Sequence, residues 1–145
     1  MLSLGSNVGD RLGYLRLGVA ALEPTAISPV YESVPWGGVE QDDFLNVVVL
    51  CSWDAAEAWR RAVRAESAAG RERQARWGPR TLDVDVIWAE GQDPALELPH
   101  PLAHQRAFVL VPWLDVEPAA VLPGHGPVSS IPVDRSSVRL ADEQL

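Results

Sequence analysis

A chain of 145 residues, 47% hydrophobic and 22% charged, is the size and make-up of one globular domain, residues 1–145. Its net charge of −8 argues against a general nucleic-acid binder, no apolar run reaches membrane-spanning length, and no charged start with an apolar stretch marks it for export, so a cytoplasmic monomer away from membranes is expected. The lone cysteine, Cys51, excludes an internal disulfide, and the absence of lysine removes both the P-loop and the protein-kinase mechanism.

In chain order, "MLSLGSNVGD" reads as a strand, a tight turn and a helix start, with Asp10 as N-cap and Leu12, Leu15, Val19 and Leu22 at helical spacing. The turn "GSNVG" is either a plain connection or an anion holder. "AISPVYES" is extended, and proline and glycines make "VPWGGVEQDD" a loop. "FLNVVVLC" is a buried strand interrupted by Asn46, whose amide is satisfied by backbone or held for a ligand. "DAAEAWRRAVRAESAAG" is the clearest helix. It is capped by Asp54 with Glu57, it stops at Gly70, and Trp59, Ala62, Val63 and Ala69 are expected to face a core. "TLDVDVIW" alternates, so Asp83 and Asp85 project from one face of a strand, about 7 Å apart. After the proline-broken "ELPHPLAHQRAFVLVPWL", residues from about 124 to 145 are expected to form a loosely held tail. The order strand, helix, strand, strand, helix, strand predicts an α+β ferredoxin-like sandwich, a mostly antiparallel sheet with its helices on one side.

All twelve basic residues are arginine, and seven of them lie between residues 60 and 80. Arg60, Arg61 and Arg64 suit a solvated helix face. Arg71, Arg73, Arg76 and Arg80, with only Glu72 among them, would repel one another without an anion. Just beyond them, Asp83 and Asp85 cannot both be buried and ionised without a cation. An Asp–Arg cluster would satisfy them. So would magnesium carrying a polyphosphate, with the arginines holding the phosphate oxygens the metal leaves uncovered. From the residues alone, a D-x-D nucleotidyl or glycosyl transferase and a non-catalytic module docking an acidic partner are also open readings.

The string R-W-G-P-R-x-x-D-V-D-V-I, Arg76 to Ile87, following G-R-x-R, resembles the signature of the 6-hydroxymethyl-7,8-dihydropterin pyrophosphokinase family. "LGSNVGDR", "YESVPWGGVEQDDFLN" and "LPHPLAHQRAFVLVPW" extend the likeness over roughly residues 2 to 118. The resemblance implies an enzyme of folate biosynthesis that transfers the β,γ-diphosphate of ATP to the pterin hydroxymethyl group and releases AMP.

It further implies Asp83 and Asp85 as ligands of two Mg²⁺ ions, with Arg71 and Arg80 catalytic beside them. Arg71 and Arg73 resemble mobile-loop arginines that reach the phosphates. Glu66, Arg73, Trp77, Val86, His100 and Arg106 fall to the nucleotide side, although Ala95 stands near the place of a further nucleotide-contacting arginine. Phe44 and Phe108 resemble a pair that sandwiches the pterin, and Asn46 an amide that reads its edge. Ser33 and Trp36, with Val34 between them, fall in the loop whose backbone reads the rest of that edge.

Overall fold

The structure is a computed structural model, and it describes residues 1–70 and 80–145. Among the described residues, eight strands and three α-helices follow in chain order: β1 (Leu2–Ser6), α1 (Arg11–Leu22), β2 (Ala26–Ile27), β3 (Tyr31–Ser33), β4 (Phe44–Leu50), α2 (Ala55–Ala68), β5 (Asp83–Val86), α3 (Ala107–Val116), β6 (Val121–Leu122), β7 (Gly126–Pro127) and β8 (Val138–Leu140). The main sheet runs β5-β1-β4-β3-β8, with β2 also on β4, and every pairing is antiparallel. This is the ferredoxin-like arrangement expected.

Local chemistry sets the helix starts. Asp10 accepts a hydrogen bond from Gly13 N at 2.9 Å, and Asp54 accepts one from Glu57 N at 2.9 Å. Leu15 and Leu22 of α1 are fully buried, each contributing about 1.5–3 kcal/mol. The buried stripe of α2 is Ala55, Ala58, Ala62 and Ala65. Expectation and structure agree on Ala62 and Ala69 but differ on Val63, which is exposed, and on Trp59, which lines a cleft. The four small alanines let α2 lie close to the sheet, which turns the two larger side chains outward.

Strand alternation divides the sheet into two faces. Leu2, Leu4, Leu45, Val47, Val49, Val84 and Val86 pack under α1 and α2 in one core. Val48 and Ile87 join a second core with Val109, Leu110 and Trp113 of α3. Helices therefore cover both faces, not one: α3 is apolar around most of its circumference and buries itself on the face opposite α1 and α2. It covers only part of that face. The uncovered part carries Ser3, Gly5, Asn46, Asp83 and Asp85.

The last residues also depart from expectation. The stretch from 124 to 145 is not a loose tail: β8 pairs with β3 (Tyr31↔Leu140, Glu32↔Arg139, Ser33↔Val138). Ala141 N donates to Val30 O at 2.9 Å, and Gln144 Oε1 accepts from Val30 N at 2.7 Å. Backbone pairing, polar clips and the buried Val128, Ile131 and Ala141 hold this segment, and side chains so scattered leave no hydrophobic period in the sequence.

Candidate active site

A cleft of about 340 Å³ opens on the uncovered part of the sheet. Its floor is the second face of three neighbouring strands. The β1–β4 and β1–β5 registers set Gly5 opposite both Asn46 and Asp83, and Ser3 opposite Asp85. Gly5 leaves room there, since a Cβ would stand 3.2 Å from Asn46 Oδ1 and 3.4 Å from Phe44 Cδ1.

One wall is flat and amide-bearing. Phe44, Phe108 and Trp36 all line it, with Ser33 and Val34 at its upper edge. Asn46 is buried, and its Nδ2 donates to Ser33 Oγ at 2.8 Å. Val34 N donates to Ser137 O at 3.3 Å, while the Val34 side chain is largely exposed.

The opposite wall is charged. Arg80 Nη1 stands 2.5 Å from Asp83 Oδ1, and Arg106 Nη1 donates to Asp85 Oδ2 at 2.9 Å. His100 Nε2 lies 3.9 Å from the same Asp85 oxygen. Burial, reinforced by the neighbouring Asp83 charge, pushes the Asp85 carboxyl up to about 6, and the Arg106 guanidinium only partly offsets this. Burial, with Arg106 nearby, pushes the His100 imidazole down. Arg106 is itself buried, its guanidinium carbon 5.2 Å from the Trp36 ring centre and 5.6 Å from that of Phe108. It therefore spans the charged wall and the aromatic one, whereas the sequence suggested the nucleotide side alone.

A second hollow of about 220 Å³ shares Trp59, Val84 and Asp85 with the cleft and adds Val86, Ala95, Leu96 and His100. The side chain of Val86 is packed in the α1–α2 core, so the face it offers this hollow is small. Glu66 lines the main cleft, and its Oε1 accepts from Val84 N at 2.8 Å, fixing α2 to the outer edge of β5. Arg71, Arg73 and Trp77 lie outside the described residues, as does Arg76.

The donor set fits magnesium. Two carboxylates from one strand face offer hard oxygen ligands, and burial, with the neighbouring Asp83 charge, raises the proton affinity of Asp85, a cost that a bound cation would relieve. No group of three or more His, Cys, Asp or Glu side chains suited to a metal occurs among the described residues, so an ion on this pair would complete its shell from water and phosphate.

The family model for 7,8-dihydro-6-hydroxymethylpterin-pyrophosphokinase matches residues 1–118. The chain belongs to this family. Relatives named 2-amino-4-hydroxy-6-hydroxymethyldihydropteridine pyrophosphokinase include one from Mycobacterium tuberculosis, 48% identical over 97% of this chain and 88% of its own length. One from Mycobacterium leprae is 45% identical over 100% and 90%, and one from Bacillus subtilis is 37% identical over 79% and 75%.

The cleft also contains residues that sequence reasoning missed: Ser3, Gly5, Gln41 and Trp59. The alternation of "LSLGS" was enough to put Ser3 and Gly5 on one face, but not to say that the face was open. Asn7 was missed as well. Its Nδ2 donates to Gln41 Oε1 at 3.0 Å and to Asp42 O at 2.9 Å, and its Oδ1 accepts from Arg80 N at 2.8 Å. Of the two readings of "GSNVG", this one is structural: the turn ties the loop before β4 to the segment that begins β5.

Proposed function

We propose that the cleft is the place where this chain transfers the β,γ-diphosphate of ATP to the hydroxymethyl group of 6-hydroxymethyl-7,8-dihydropterin, yielding AMP and the pterin diphosphate for folate biosynthesis. The observation that carries this is the sharing of one cleft by a flat, amide-bearing wall and a wall of two carboxylates with two guanidinium groups.

The pterin ring lies between Phe44 and Phe108, where stacking adds to area burial. Asn46, with Ser33 beside it, reads the polar edge of the ring, and the backbone of the Val34–Trp36 segment reads the remainder. This points the hydroxymethyl group at Asp83 and Asp85. Those carboxylates would hold two magnesium ions, which when bound neutralise phosphate oxygens and favour an ionised substrate hydroxyl.

The chain's own part is to position. Arg80 leaves Asp83 for a phosphate oxygen, to which a guanidinium fork is well matched. Arg71 and Arg73 would meet the phosphate oxygens, with Trp77 on the nucleotide side. Glu66, Val86 and His100 flank the nucleotide, and Arg106 fixes Asp85. The hydroxyl oxygen then attacks the β-phosphorus in line. An O–P bond forms, the bond between the β-phosphorus and the α–β bridging oxygen breaks, AMP leaves with that oxygen, and the hydroxyl proton passes to solvent. The working unit proposed is a monomer. Both substrates are small molecules, the charge of −8 does not suit nucleic acid, and a cytoplasmic setting with ATP at hand suits the reaction.

Incubation with ATP, Mg²⁺ and the reduced hydroxymethylpterin should give AMP and pterin diphosphate in equal amounts, by chromatography. ADP as the product would overturn the reading. Asp83→Ala and Asp85→Ala should each lower kcat by at least about a thousand-fold with the circular dichroism spectrum unchanged. Retained turnover in either variant removes that residue from the metal site.

A further inference from the structure

The family match ends at residue 118, yet the chain continues by a route that returns to the cleft. In returning, β8 lies along β3, the strand that ends in Ser33. Beyond the strand pairing itself, further contacts join these strands and the residues that flank them. Val34 N donates to Ser137 O at 3.3 Å. The Arg139 guanidinium pairs with the Glu32 carboxylate through Nε, at 3.1 Å, and through Nη2. Ala141 N donates to Val30 O, and Gln144 grips both polar groups of Val30, donating from Nε2 to its carbonyl at 3.2 Å and accepting from its N–H at 2.7 Å.

Glu32 carries the constraint further. Its Oε1 takes Arg11 Nη1 at 3.3 Å, and the same Nη1 donates to Asp43 O at 2.8 Å, one residue before Phe44. The chain from Val34 to Asp43 is thus held at both ends. Ser33 is fixed from the β8 side and Phe44 from the α1 side, with the Glu32 carboxylate common to the two ties.

The geometry points to residues 137–144 as a strap that positions the pterin wall, with Arg139 and Gln144 as positioning residues that act through Glu32 and Val30. This rests on the reading of Ser33, Asn46 and Phe44 as the pterin wall. Neither residue reaches the charged wall, so the strap governs recognition of the pterin and leaves the nucleotide alone. Arg139 is largely exposed, so its ion pair alone is a modest constraint. The backbone pairing and the Gln144 clip supply the rest.

The test uses the full chain. Arg139→Ala and Gln144→Ala should each raise KM for the pterin about two- to five-fold, and the double variant about ten-fold, with KM for ATP and kcat at saturating pterin unchanged. Arg139→Lys should restore most of the loss, because it keeps a cation near Glu32. Arg60→Ala, which removes another exposed arginine, paired with Glu57 on α2, should change nothing. An equal rise in both KM values, a fall in kcat that tracks a lowered Tm, or no change in pterin KM for the double variant would overturn the strap. Failure of the wild-type chain to form AMP would overturn the functional reading and the strap with it. If the double variant does not fold, the two single variants and the lysine rescue decide the matter.

Discussion

At Gly5 a single missing carbon makes room for recognition. The space beside Asn46 and Phe44 exists because β1 carries no side chain there. Gly5→Ala would set a methyl group at the edge of tolerable contact with both, narrowing the floor where the pterin would lie. The expected result is a rise of about ten-fold or more in KM for the pterin, with KM for ATP unchanged, measured in steady-state assays. A second prediction concerns Glu32. Hydrogen bonding from Arg139 is the largest influence on its carboxyl, followed by burial, which opposes it, and by Arg11; the net effect holds the group below the usual carboxylate range. A carboxyl whose pKa is lower folded than unfolded adds stability above its unfolded value and loses it as pH falls through its folded value. In a series of thermal melts, wild-type Tm should therefore fall as pH drops below about 4.5, and Glu32→Gln should show a shallower fall over that range. Identical slopes would mean that the Glu32 pairs add nothing to folding.

The elements were legible where local rules dominate. Asp10 and Asp54 cap their helices as their sequence positions suggested, "FLNVVVL" forms the expected strand, and "DVDV" forms one with both aspartates on the expected single face. What local rules do not carry is which neighbour an element meets. "AFVLVPWLDV" announces an apolar helix, but nothing in it names the sheet face it will cover. β8 is three residues held by pairing and charge, so it has no period to read. Trp59 looked like core by residue type, and only the alanine stripe of α2 turns it toward the cleft. Tight packing of elements also sets a prediction at this scale. Gly18 lets α1 settle on the sheet, because a Cβ there would lie 2.7 Å from Leu4 Cδ2 and 3.2 Å from Leu82 Cδ2, both on fully buried side chains. Alanine gains about 1 kcal/mol of helix propensity over glycine, while overpacking costs about 1–3 kcal/mol. Gly18→Ala should lower the unfolding free energy by about 1 kcal/mol in a urea titration. A more stable variant would show that the leucine tips give way.

At the scale of the whole molecule, the cleft joins parts of the chain far apart in sequence. The paired aspartates were legible as a site because charge alone demanded a partner for them. Their partners in this structure, Arg80 and Arg106, sit three and twenty-one residues away, and only the second required the fold. The link made by Asn7 between the loop before β4 and the start of β5 was not legible, since an amide in a turn has many uses.

The strand bearing both aspartates is also an outer strand of the sheet. Outer strands invite other chains to add themselves, and ordinary defences such as a covering helix would close the cleft. Glu66 meets both needs at once: its carboxylate occupies the outward amide of Val84 without roofing over the cleft. Glu66→Ala should therefore self-associate as concentration rises, seen as growing light scattering, while Glu66→Gln, which keeps an acceptor oxygen, should stay dispersed. An alanine variant that scattered no more than wild type would assign the guarding of this border to something else.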